Sequence, residues 1–236
     1  VDFKVFDAEL LAFVVETMKA YYTELYQHLL GLGVRIPVTG TNWQVGGAAI
    51  LESQRQFPFM DSHTYFYNWG WKPYEKRVMT ESMLARLDPW YAGLSMMRVM
   101  DRPFFVSEWD HPWPNEWRAE SVLNLAAVSA LQGWSGTAIH TYRYDCREVS
   151  DMIALPVTSD ALAGIPYRGG VFDTFNDPAK FGLFYHAALI LRRGDVRASA
   201  TATEVVLPGL RMADQTGKAD DHDLIGGWAC TALHGA

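Results

Sequence analysis

An α/β fold on a parallel sheet is what the sequence predicts, on three observations. Four short apolar runs of strand type, at residues 34–40, 59–66, 104–106 and 137–142, alternate with segments of helical composition. Each run opens into a polar or aromatic cluster: Asn42 and Trp43, His63 and Tyr65, Glu108 and Trp109, His140 and Tyr142. Parallel strands set their carboxyl ends along one edge, so the four clusters converge on a single rim. That is how a (β/α)8 barrel builds an active site from several strand ends.

Residues 7–30 form the first helix, because Leu11, Val14, Val15, Met18, Tyr22, Leu25 and Leu29 recur at helical spacing behind Asp7 as N-cap. Gly31 and Gly33 end it. The run 34–40 is the first strand, and residues 46–56 suit a short helix. In the second strand, 59–66, a period of two places Asp61, His63 and Tyr65 on one side. An aromatic loop through Trp69, Trp71 and Tyr74 follows, then helical composition over 79–100, broken at Asp88-Pro89.

The third strand, Phe104-Phe105-Val106, is bounded by Pro103 and by a loop rich in Pro and Asn, with Glu108 where the strand ends. A carboxylate between a buried strand and a loop holding Trp109, His111, Trp113 and Trp117 is costly unless it has a task, and catalysis is one such task. A helix over 116–131 stops at Gly133, the fourth strand delivers His140 and Tyr142, and a last helix over 181–193 stops at Gly194. Residues 145–178 carry no regular pattern. From Val196 the texture turns to short alternating runs, so 1–195 form the main domain and 196–236 a β-type accessory segment or tail.

Composition narrows the partners. A net charge of −7 and a pI near 5.5 exclude a nucleic-acid binder, which needs clustered Lys and Arg to displace counterions. No apolar run approaches the ~18 residues that suggest a membrane span, so no membrane partner is expected. Cys146 and Cys230 share no metal-type spacing with another Cys or a His. Localisation stays open, a secreted or periplasmic protein included. Gly46-Gly47 and Gly169-Gly170 lack the Lys and Ser/Thr of a phosphate loop, and Ser107, Asp110 and His111 lack the G-x-S-x-G elbow of an acyl-transfer site. No cofactor is expected.

The ordered set His63-Thr64-Tyr65, Phe105-Val106-Ser107-Glu108-Trp109 and Gly136 to Tyr142 resembles strands six, seven and eight of the retaining glycoside hydrolases whose (β/α)8 barrel carries catalytic glutamates on strands four and seven. The resemblance covers residues 1–195 and implies a partial TIM barrel of about strands five to eight, with residues 34–43 as strand five. It implies that Glu108 is the nucleophile, forming a covalent glycosyl-enzyme that water later hydrolyses. It further implies that Tyr65 hydrogen-bonds that carboxylate and keeps it ionised, and that His63 lines the same subsite. Asn42, Trp43, Trp109, His140 and Tyr142 would contact substrate, a plant-type poly- or oligosaccharide of cellulase- or xylosidase-like enzymes.

In that clan the acid/base is the Glu of an Asn-Glu pair ending strand four. Asn115-Glu116, the Asn-Glu pair of this chain, follows the nucleophile strand and does not fill that role. A retaining mechanism needs two carboxyls ~5–5.5 Å apart, and a full barrel ~250 residues. The chain is therefore expected to be the C-terminal half of such an enzyme, weakly active or inactive by itself, and to associate with itself or with the missing N-terminal half-barrel. Two other readings compete: a carbohydrate-binding or scaffold module without chemistry, and a metal-dependent hydrolase using Asp61, His63, Asp110, His111, His140 and Asp145. No His-x-His pair follows the first strand, so no metal is expected. The structural alternative for Glu108 is a rim carboxylate paired with Arg102, Arg118 or Arg143.

Overall fold

The computed structural model describes residues 8–42, 48–66, 80–85, 90–113, 115–143 and 172–204. The chain divides into two compact units. One is drawn from Val1–Ser62, Gly93–Phe105 and Ala200–Ala236, the other from His63–Ala92 and Val106–Ser199.

In the first unit, α1 (Ala8–Gly31) packs along α2 (Ala48–Gln54). Val15 is buried, and the rings of Tyr22 and Tyr26 lie 6.1 and 5.2 Å from the buried ring of Phe57. The first strand expected from the sequence does not form: residues 34–42 are irregular. Donors at both ends of the stretch are claimed elsewhere. Val34 N–H bonds the carbonyl of Leu29 at the end of α1, Pro37 has no N–H, and Thr41 N–H bonds the side-chain oxygen of Gln54 at 3.1 Å. Gly40 lies so close to that amide that a Cβ there would stand 2.1 Å from Gln54 Oε1, so glycine is required.

Three strands form one sheet in the order β1 (Met60–Tyr65), β2 (Phe104–Asp110), β3 (Gly136–Ile139). Met60 N–H bonds the carbonyl of Pro103 and Phe66 N–H that of Asp110, both at 2.9 Å. The partners advance together along both strands, which makes the pairing parallel. The result is a mixed α/β fold on a small parallel sheet.

The helical composition of 79–100 resolves differently from expectation. Residues 80–85 hold no helix, the Asp88-Pro89 break lies outside the described residues, and Trp90–Met97 is a 3-10 helix. Tyr91, Leu94 and Met97 are its buried positions, spaced by three, which suits a helix of three residues per turn.

In the second unit, α3 (Glu120–Gln132) buries Val122, Leu125 and Ala126 and ends at Gly133, whose φ of 64° is the left-handed conformation that glycine adopts freely. Glu120 accepts hydrogen bonds from Ser82 Oγ and Leu84 N–H. β3 is shorter than the sequence suggests because the chain turns off after Ile139: Thr141 N–H bonds the carbonyl of Phe172, outside the sheet. The last helix begins earlier and in two pieces. Asp177 caps α4 (Pro178–Phe181) by accepting from Ala179 N–H, and α5 (Phe184–Arg193) then packs against α3. Residues 201–204, part of the expected β-type tail, form no strand, and 205–236 lie outside the described residues. Among the described residues no helix is long and apolar enough to cross a membrane.

Candidate functional site

The alternation of β1 decides which side chains can meet at the site. Met60 and Ser62 are buried on one side, while Asp61, His63 and Tyr65 project to the other. The parallel register sets Tyr65 beside the carboxyl end of β2, where its Oη donates a hydrogen bond to Glu108 Oε2 at 2.5 Å. Both side chains are part-buried, so the pair is shielded without being sealed from solvent.

Three rings enclose Tyr65. His63, two residues earlier on the same strand, stands 6.1 Å away, His140 meets it edge-on at 6.0 Å, and Phe172 tilts against it at 5.1 Å. His140 and Phe172 also touch each other, at 5.3 Å. His140 is brought there by β3, since its N–H bonds the carbonyl of Trp109, next to Glu108 on β2. Glu108, Tyr65, His63 and His140, four of the residues singled out by sequence, therefore share one half-buried cluster centred on the Tyr65–Glu108 bond.

Of the remaining expected site residues, Trp109 and Tyr142 face away from this cluster. Trp109 is 2% exposed, stacked on Phe184 and met edge-on by Tyr91, so its ring serves the core and offers no face to a sugar. Alternation explains this: neighbours of Glu108 on the strand point the opposite way. Tyr142 is exposed beside Phe175 and Phe181. Asn42 belongs to the first compact unit, in the irregular stretch after Gly40, and Trp43 lies outside the described residues.

Beyond Glu108, β2 ends in a buried ion pair. Lys180 Nζ lies 2.9 and 3.0 Å from the two carboxylate oxygens of Asp110, and neither side chain is exposed. Burial pushes the Asp110 carboxyl up to about 6 against the opposing pull of the Lys180 charge. Next to it His111 is fully buried, its ring 4.6 Å from Phe66. Burial lowers it to about 4, more strongly than the charge of Glu120 raises it, so the imidazole is neutral at physiological pH. Arg118, weighed as a partner for Glu108, instead bonds Asp177 at 2.6 Å, and Arg143 lies over the ring of Phe175 at 5.1 Å.

The candidate metal ligands do not assemble. Asp110 is occupied by Lys180, Asp145 lies outside the described residues, and no group of three His, Cys, Asp or Glu side chains suited to a metal occurs among the described residues. Comparison with protein-family models, with curated proteins and with solved structures finds no match to this chain.

Two contributors, Phe172 and Lys180, were not evident from sequence. Phe172 sits in a stretch without periodicity. For Lys180 a local signal did exist: Asn176-Asp177-Pro178 is a helix start, with Asp as cap and Pro in the first turn, and it places Lys180 on the first turn of a helix.

Proposed function

We propose that the chain is the C-terminal half of a retaining glycoside hydrolase acting on plant-type poly- or oligosaccharides, with Glu108 as nucleophile. The observation that carries this reading is the Tyr65–Glu108 hydrogen bond set among His63, His140 and Phe172. A phenol donating to a carboxylate favours the charged, nucleophilic form and fixes its orientation, while the surrounding rings partly shield the pair from bulk water. The partial barrel belongs to the same proposal. Its support is the uninterrupted order β1-β2-β3 of parallel neighbours, the order in which a barrel is wound.

In the first chemical step a carboxylate oxygen of Glu108 bonds the anomeric carbon, the bond from that carbon to the leaving oxygen breaks, and the electron pair departs with the leaving group. A natural sugar leaving group must be protonated as it departs. That role is assigned to no side chain of this chain: it falls to a carboxyl on the strand-four side of the barrel, and hydrolysis by this chain is weak or absent.

The direct test uses a 2-deoxy-2-fluoro glycosyl inactivator with a dinitrophenolate leaving group, across glucosyl, xylosyl and mannosyl forms. The leaving group needs no proton, so only the nucleophile is probed. The expected result is one covalent adduct per chain, mapped by peptide mass spectrometry to Glu108 and absent in Glu108→Gln. Oligosaccharide binding in calorimetry with no adduct from any inactivator would instead favour a binding module without chemistry.

The same proposal predicts an oligomer, because a half-barrel leaves two sheet edges in need of cover, and the sheet of the described residues has three strands. Light scattering at micromolar concentration should return at least twice the 26.6 kDa chain mass. A single species of monomer mass would refute that part.

A further inference from the structure

The segment Phe172–Phe181 starts at the site, where Phe172 packs on Tyr65 and His140, and is fastened at three places along its length. Its beginning is tied to the chain leaving β3: Thr141 N–H bonds the Phe172 carbonyl at 3.2 Å, and the N–H groups of Thr174 and Phe175 both bond the carbonyl of Tyr142, at 3.1 and 3.0 Å. Its middle is tied to the turn before α3 by Arg118 and Asp177. Its far end is tied to β2 by Lys180 and Asp110. Asp173, Thr174, Asp177 and Lys180 are all at most 1% exposed.

These attachments do different things. The three backbone bonds set the start of the segment, Phe172 included, against the end of β3, where His140 N–H bonds the Trp109 carbonyl next to Glu108. The Lys180–Asp110 pair fastens the other end of the segment to β2 itself, because Asp110 is two residues beyond Glu108 on the same strand, and by strand alternation shares its face. A buried, two-pronged contact to that strand gauges the segment against the strand that holds the carboxylate. What the segment carries to the cluster is Phe172, half-buried and packed on both Tyr65 and His140.

We propose that Phe172 is a specificity-determining wall of the sugar pocket, and that Lys180, through its ion pair with Asp110, is the positioning residue that sets this wall relative to Glu108. The inference rests on the glycosidase reading and adds to it two residues that the sequence motifs do not include. An aromatic ring packed on the tyrosine that holds the attacking carboxylate is placed to meet the apolar side of a pyranose, so displacing it weakens sugar binding while leaving the carboxylate and its tyrosine intact. Lys180 itself touches no substrate.

The experiment follows the 2-deoxy-2-fluoro glycosyl inactivator at a series of concentrations, which separates half-saturation from the limiting rate of labelling. Proton NMR of the same samples follows the contacts between the Phe172 and Tyr65 rings. The double variant Asp110→Leu/Lys180→Met removes the pair without stranding a charge. It should label Glu108 with a limiting rate within about twofold of the parent but with half-saturation raised about tenfold, and should lose the Phe172–Tyr65 contacts. Phe172→Ala, which leaves both charges in place, should raise half-saturation at least as much, and it decides the matter if the double variant does not fold. Parent-like half-saturation in Phe172→Ala, or intact ring contacts with parent-like half-saturation in the folded double variant, overturns the inference. A parent protein that takes no label at any concentration overturns the glycosidase reading instead, and the NMR contacts in the double variant still decide whether the pair positions the ring.

Discussion

Azide is expected to accelerate release of 2,4-dinitrophenolate from an aryl glycoside by about 10²–10⁴-fold over plain buffer, the span that a general acid–base residue contributes. Dinitrophenolate leaves without a proton, so glycosylation of Glu108 proceeds at the rate set by the nucleophile and the Tyr65 contact. The glycosyl-enzyme then waits, because water attacking the anomeric carbon must lose a proton to a base that this chain does not contribute under the proposed reading. Azide is already an anion and needs none. It bonds the anomeric carbon, the ester to Glu108 breaks, and the carboxylate is regenerated. The product is a glycosyl azide with the configuration of the substrate, identified by mass spectrometry and NMR. Glu108→Gln should abolish both phenolate release and azide product. Robust turnover in plain buffer that azide does not change and Glu108→Gln abolishes would mean that a second carboxyl of this chain does serve the site, and the half-enzyme reading would fall.

Much of the architecture was legible because it rests on periodicity. The spacing of Val15, Tyr22 and Leu29 marks α1, the alternation of Asp61, His63 and Tyr65 marks the open side of β1, and Gly133 marks the end of α3. These signals are local, and local signals survive folding when no long-range partner overrides them. The stretch 34–40 was overridden. Its β-branched residues suit a strand, but its first N–H, that of Val34, goes to the Leu29 carbonyl ending α1, Pro37 has none, and the N–H of Thr41 just after it goes to the side chain of Gln54. The stretch 79–100 departs from its composition for another reason: α and 3-10 helices share a composition, and the spacing of Tyr91, Leu94 and Met97 fits three residues per turn better than 3.6.

At the site, four residues were legible by register alone. Glu108, Tyr65, His63 and His140 each end or nearly end a strand, and parallel pairing brings strand ends together whatever the loops do. Trp109 illustrates the limit of that rule. It shares a strand end with Glu108, yet one step along a strand reverses the direction of the side chain and sends the ring into the core. Phe172 and Lys180 were hidden because their positions follow from tertiary contacts with Thr141 and Asp110, which lie 31 and 70 residues away and leave no periodic trace.

Those contacts also predict the largest change in stability. Lys180→Met leaves the Asp110 carboxylate buried without its counter-charge and should cost about 3–5 kcal/mol. At roughly 2–4 °C per kcal/mol for a chain of this size, the melting midpoint falls by roughly 6–20 °C. The double variant Asp110→Leu/Lys180→Met should recover most of that loss or exceed the parent, because desolvating two charges consumes most of what their attraction returns. The pH dependence distinguishes this account from simple loss of packing. The Asp110 carboxyl is raised from 3.8 to about 6 in the fold, so the folded state holds that proton more tightly than the unfolded chain does. Its contribution is present below 3.8 and is lost as pH rises through about 6, a loss of about 3 kcal/mol. His111, lowered to about 4, works in the opposite sense: its contribution is present above 6.5 and is lost as pH falls toward 4. In the parent the two slopes offset one another between pH 4 and 6. Removing Asp110 unmasks His111, and urea titrations of the double variant should show stability rising with pH across that window relative to the parent. A difference between the two proteins that stays flat from pH 4 to 6 would mean that the carboxylate titrates no differently in the fold than in the unfolded chain, and that Lys180 fully offsets the cost of burying it.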